Sequence, residues 1–205
     1  AEADATLAVK TVPLDFECRH LLAAILVARG KRDELRLNCQ TMLDGFGGTS
    51  TAIVASRLAL DCLVLPAIAV NASSVGGLVE TGILGKMEGN WMNYAQCTKA
   101  LWDYRQGHFA GAIAWSQRSV QSLSLDIRVM SFSVLAMAHF QIGEHTLARS
   151  FLSEGAMLVK TRYPKPDRGD LGAEWKEGIQ IDLGSEWKGG VFARALLEEA
   201  QVLIE

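Results

Sequence analysis

The segment Tyr104-Arg105-Gln106-Gly107-His108-Phe109-Ala110-Gly111-Ala112-Ile113 is echoed by Phe140-Gln141-Ile142-Gly143-Glu144-His145-Thr146-Leu147-Ala148-Arg149. Gly107 and Gly143 stand 36 residues apart, and Ala112 and Ala148 keep the same offset. An internal period of this size constrains the fold more than composition does, because each repeat is one supersecondary unit that buries its apolar face only against a neighbour. A glycine between two amphipathic stretches, with a small residue five positions on, predicts a helix–turn–helix.

Taken in order, the chain predicts a series of such hairpins. Residues 1–13 read as an extended or frayed lead-in ending at Pro13. Asp15 is an N-cap candidate for a helix over 16–29, and Gly30-Lys31 makes the turn into a second helix over 33–43. Residues 45–50 (GFGGTS) resemble a phosphate loop only superficially. No GxxxxGK[ST] or GxGxxG spacing is completed and no strand precedes them, so they read as a helix end, a turn and a Thr/Ser cap. Helices over 51–65 and 75–87 follow, the first ended by Pro66, with 67–72 as linker and Ser73 or Ser74 as cap. The second contains Gly76, Gly77, Gly82 and Gly85, each costing about 1 kcal/mol relative to alanine, and reads as the weakest helix.

The clearest hairpins cover 90–106 with 109–123, and 126–142 with 144–160. Phe109, Ala112, Ile113, Ser116, Ser119, Val120 and Leu123 fall at helical spacing and form one stripe. Ala100, Ala112, Ala136 and Ala148 sit where paired helices would cross closely. Residues 161–185 break the pattern with Tyr163-Pro164-Lys165-Pro166, and Trp175, within them, and Trp187, just after them, read as packing the loop on the last unit. A final helix over 187–204, with Phe192, Leu196 and Leu203 on one face, would cap the stack and leave Glu198, Glu199 and Glu205 in water.

The chain has 49% apolar and 21% charged residues and a net charge of −3, ordinary values for a domain with a packed interior. No basic run exceeds Lys31-Arg32, so neither nucleic acid nor an anionic membrane is implied as a partner. The longest apolar run, 58–70, is interrupted by Asp61 and Pro66 and is too short to span a bilayer. Cys18, Cys39, Cys62 and Cys97 form no CxxC pair and read as small buried hydrophobes, consistent with a reducing compartment. The start at Ala1, without a methionine, reads as a fragment of something longer or as processed material.

Linear motifs for chemistry are missing. There is no HExxH and no nucleophile elbow, and His20, His108, His139 and His145 lack metal-ligand spacing. His139 reads as a packing residue on an apolar face, and His108 and His145 as exposed residues beside the glycine turns. Arg168-Gly169-Asp170 reads as a chance match in a charged loop. The expectation is no catalysis, no cofactor and no metal.

The Gly107/Ala112 and Gly143/Ala148 pairs resemble tetratricopeptide repeats, with Asp103 and His139 where an aromatic is usual, and Ser124 and Lys160 near the usual terminal proline. A wider resemblance rests on Arg19-His20-Leu21-Leu22-Ala23, Met42-Leu43-Asp44-Gly45-Phe46-Gly47-Gly48-Thr49, Asp61-Cys62-Leu63-Val64-Leu65-Pro66, Tyr104-Arg105-Gln106-Gly107 and Leu196-Leu197-Glu198-Glu199-Ala200. In these the chain is similar to the C-terminal repeat region of large serine/threonine kinase-like proteins of planctomycete-type bacteria. The resemblance implies a regulatory module, cytoplasmic or membrane-tethered, detached from any catalytic domain. No HRD, DFG or glycine-rich kinase loop is present.

The expectation is therefore an all-α, right-handed superhelix of about four tetratricopeptide-like hairpins (15–44, 50–88, 90–124, 126–160). It forms one domain over 1–205, with a loop over 161–185 and a capping helix. The first helices would line a concave groove. That groove would offer Tyr94, Cys97, Leu101, Tyr104 and Arg105, then Met130, Ser133, Met137, Phe140 and Gln141, and Glu17, His20 and Ala24 from the first unit. Of these, Tyr94, Leu101, Tyr104, Arg105, Met130, Met137, Phe140 and Gln141 are the expected partner-binding residues. Cys97, Leu101, Ser133 and Met137 occupy the places where a subset of such repeats clamps a terminal carboxylate, so no such clamp is expected. A protein or peptide segment with apolar anchors is the expected partner, in the cytoplasm. Self-association into a homo-oligomer is the alternative. A third reading, a small-molecule sensor or enzyme, predicts an enclosed polar-lined cavity.

Overall fold

The computed structural model describes residues 2–66, 71–162 and 183–205. Among them are ten helices: α1 (Glu2–Thr11), α2 (Phe16–Ala28), α3 (Arg32–Phe46), α4 (Ala52–Leu63), α5 (Ala72–Leu84), α6 (Asn90–Arg105), α7 (Phe109–Ser119), α8 (Leu125–Gln141), α9 (His145–Arg162) and α10 (Leu183–Ile204). Residues 2–11 are helical rather than frayed, and α1 packs on α2. Its weak amphipathic pattern hid it: Ala5 is its buried contact, while Leu7 faces solvent.

Three hairpins are closed by the same turn. Gly30, Gly107 and Gly143 have φ of +66, +76 and +83°, a left-handed conformation open to glycine at little cost. In each, the glycine N–H donates to the carbonyl three residues back (Val27, Tyr104, Phe140), at 3.0 Å every time. The following N–H reaches back five residues, Lys31 to Leu26 at 2.9 Å, His108 to Asp103 at 2.8 Å and Glu144 to His139 at 2.9 Å. That pair of bonds satisfies carbonyls the helix end would otherwise leave open. The periodic glycines therefore stand in equivalent bends.

Helix starts follow local chemistry as well. Asp15 accepts the Cys18 N–H at 2.7 Å and caps α2. Asn71, rather than Ser73 or Ser74, caps α5 by accepting the Ser74 N–H at 3.1 Å. The glycines of α5 and its C-cap, Gly85, have a packing reason that propensity alone does not reveal. A Cβ at Gly76 would lie 3.1 Å from the Trp102 ring, one at Gly82 2.3 Å from Ser56 Oγ, and one at Gly85 2.2 Å from Ala52 Cβ. Three of the four thus let α5 approach α4 and α6 closely; Gly77 alone faces open space.

Each hairpin packs its two helices together, and the first helices also pack on one another, α2 on α4, α4 on α6 and α6 on α8. Ala100, Ala112, Ala136 and Ala148 are fully buried, so the small residues do mark the close crossings. This is a stack of helical hairpins with one continuous apolar core.

The last helix departs from expectation. α10 covers α8 and α9, as a terminal cap would, but it also packs on α2. A row whose first and last hairpins touch the same helix has curled around it. Phe192, Ala193, Leu196 and Ala200 are fully buried as a result, each large side chain contributing roughly 1.5–3 kcal/mol of transfer free energy. α10 is a central strut of the fold.

Candidate functional site

The side chains expected to line a groove are largely underneath α10 or inside the stack. Leu101, Met130, Met137 and Ser133 are fully buried, as is Ala24, and Cys97 is nearly so. A buried side chain offers no surface to a partner, so these residues belong to the core. Tyr94, Tyr104, Arg105 and Phe140 are half-buried and Gln141 is exposed. Helical periodicity does not say whether a face meets a partner or another helix of the same chain.

Arg105 shows the difference. Its two terminal nitrogens take the Glu199 carboxylate of α10, with Nη2 to Oε2 at 2.7 Å, and its Nε donates to the Leu63 carbonyl at 3.1 Å. Its guanidinium also lies 5.6 Å from the Tyr104 ring centre. The arginine thus joins the ends of α4 and α6 to α10, and Glu199 is held there instead of standing in water.

At the opposite end of α10, Lys188 approaches Glu17 of α2 at 3.5 Å, and Phe192 meets the His20 ring at 5.9 Å between centres. With Glu199 beside the end of α6, these pairs place α10 parallel to α2 and α6. The starts of these helices and of α8 surround a cavity of about 490 Å³. Sequence reading did not place it, because its walls come from residues as far apart as Glu17 and Phe192.

The cavity combines charge with aromatic surface. Arg57 of α4 pairs with Glu17, Nη2 to Oε2 at 2.7 Å, and lies over the Phe16 ring at 5.1 Å. That pairing holds the Glu17 carboxyl down at about 2. Trp91, Tyr94, Ile127 and Phe192 supply apolar walls, and Ser124 and Asp126 face in from the start of α8. Burial lowers the Lys188 ammonium, with Arg57 adding to the effect and Glu17 opposing it.

Behind His20 lies Asp61, fully buried on α4, with both oxygens 2.9 Å from the imidazole Nδ1. Burial raises the Asp61 carboxyl and His20 opposes that rise. The only trace of this pair in the sequence was an acidic residue interrupting an apolar run, 41 positions from its partner. Cys39 donates to the Asp61 carbonyl at 3.4 Å. The Cys97 thiol is pushed up to about 12 by burial, which makes it a poor nucleophile at neutral pH.

The remaining histidines have local roles. His139 is buried against Phe151 and pairs with Glu144, while His108 and His145 are exposed. The expectation that Trp175 and Trp187 pack a loop on the last unit concerns side chains outside the described residues. Among the described residues no cluster of three or more His, Cys, Asp or Glu could hold a metal ion, and no helix is long and apolar enough to cross a membrane. No family model, curated protein or solved structure matches the chain.

Proposed function

We propose that the chain is a non-catalytic, tetratricopeptide-like interaction module, working in the cytoplasm as the regulatory part of a larger protein, whose trough of first helices receives an amphipathic helix from a protein partner. The observation that carries this reading is the resident one. α10 lies along the trough with Phe192, Leu196 and Ala200 buried and Glu199 on Arg105. A surface that fits one amphipathic helix has the chemistry to fit another of like pattern, with apolar anchors one turn apart and an acidic residue near its end. A partner would take the place of α10, and the internal helix would compete at high effective concentration.

The test uses the whole chain carrying Phe192→Asp and Leu196→Asp, which releases its own α10, and a labelled peptide of residues 183–205. Saturable binding of the peptide to the variant, at least tenfold weaker binding to the unsubstituted chain, and none by a peptide with the same two aspartates is the expected pattern. If the variant keeps its helical circular dichroism yet binds no peptide, the reading fails.

Self-association is the second reading, and the same docking supports it: α10 of one copy entering the trough of another would give a dimer with identical contacts. Light scattering across a concentration series separates this from a monomeric receptor.

A further inference from the structure

The cavity at the start of α10 has a charge arrangement that the fold alone does not require. Two cations, Arg57 and Lys188, have side chains only 13% and 11% exposed. The anion they share is Glu17, whose side chain is 62% exposed. The other carboxylates nearby are engaged elsewhere. Asp61 gives both oxygens to His20, and Asp126 accepts the Ser124 hydroxyl while lying against Gly189. Two largely buried positive groups therefore share one directly paired carboxylate, at the end of an exposed, rotatable side chain, while the Asp61 charge acts on both from behind. The Phe16 ring under Arg57 keeps the guanidinium in place when that carboxylate swings out. Beside the cations the wall turns apolar, with Trp91, Tyr94 and Phe192 around about 490 Å³ of space.

We propose that this cavity binds a small monocarboxylate with an aromatic or branched apolar body, its carboxylate held by Arg57 and Lys188 in the position Glu17 now occupies. The guanidinium fork matches a carboxylate through two parallel N–H bonds, and Lys188 adds a point charge from α10. The apolar body lies on Trp91 and Tyr94, where area is removed from water. His20 has Nδ1 committed to Asp61, which leaves Nε2 as the ring nitrogen for a polar substituent. Glu17 is the internal competitor, so its removal tightens binding. The site needs α10 in place, and it stands whether or not a partner helix ever uses the trough.

Calorimetric titration with 3-phenylpropionate and with its neutral amide tests the proposal on the intact chain. The acid should bind at least tenfold more tightly than the amide. Glu17→Gln should tighten the acid by about tenfold, and Lys188→Met should weaken it by at least as much, with thermal melts confirming that both variants fold. Equal affinity for acid and amide, or no binding of the acid by Glu17→Gln, would overturn the assignment. A tripeptide Ala-Ala-Phe with a free C-terminus is the third probe. If it binds more tightly than the small acid, a peptide terminus replaces the small molecule as ligand and the proposal as stated fails.

Discussion

Arg105 and Glu199, 94 residues apart in the chain, meet fork to fork where α6 ends and α10 passes. The guanidinium also donates to the Leu63 carbonyl, so a single side chain serves the ends of two hairpins and the final helix. Removing one member of a largely buried pair leaves the other charge without compensation. Arg105→Ala should therefore destabilise the fold by about 2–3 kcal/mol, below the fully buried range because both side chains retain some water. Replacing both residues with methionine should restore most of that loss. Urea denaturation of the three proteins checks this, and a single variant within about 0.5 kcal/mol of the original would count against the pair as a structural link.

Glu17 gives stability with a definite pH signature. Its folded carboxyl is held at about 2, against an ordinary value of 4.5. A depressed acid contributes stability that is fully present above its unfolded value and is lost as pH falls through its folded one. The stability difference between the unsubstituted chain and Glu17→Gln should be constant above pH 4.5 and vanish as pH falls through about 2. Asp61 acts with the opposite sign. Its carboxyl is raised by burial, so its contribution is present below the ordinary 3.8 and lost as pH rises through its folded value. Melts from pH 2 to 7 separate the two, and a Glu17→Gln difference that does not change with pH would refute the assignment.

Two glycines in helices should answer oppositely to alanine. Gly77 in α5 meets nothing within 4 Å, so Gly77→Ala should stabilise by about 0.5–1 kcal/mol through helix propensity. A Cβ at Gly189 in α10 would lie 1.7 Å from Asp126 Oδ2 and 3.1 Å from its Cβ. Gly189→Ala should cost about 1–3 kcal/mol as α10 and α8 are pushed apart. Thermal denaturation of both variants is sufficient. Equal signs would mean that α10 does not sit on α8 as described.

The turn glycines make a third comparison. Gly30, Gly107 and Gly143 have open space around their Cα atoms, so alanine there is penalised by backbone conformation alone. Each substitution should cost about 1–2 kcal/mol, and the three costs should agree closely because the bends are the same. One glycine tolerating alanine freely would break the equivalence.

These residues also show what was legible beforehand. The turn glycines and the crossing alanines Ala100, Ala112, Ala136 and Ala148 announced the hairpins, because a left-handed bend and a close helix approach each admit few residue types. α1 was missed because its apolar residues make no clear stripe. The cavity was missed for a different reason. His20 and Asp61, Arg57 and Glu17, Lys188 and Glu17 are brought together by tertiary packing, and nothing in the spacing of an arginine and a lysine 131 positions apart signals that they will share a carboxylate. For α10 the sequence revealed the amphipathic stripe but not its destination, since a helix that caps the last unit and one that threads the whole row carry the same pattern.

The contact between α2 and α10 changes how such a chain must acquire its structure. Hairpin arrays usually grow outward from any starting pair, each unit relying on its neighbours alone. Here the earliest hairpin finishes its interior only when the twenty-two residues of α10 arrive. During synthesis the early helices wait, incompletely covered, until α10 has left the ribosome. Assembly should accordingly be slower and more all-or-none than in an open array of equal length, because closing so long a loop precedes the contacts that reward it.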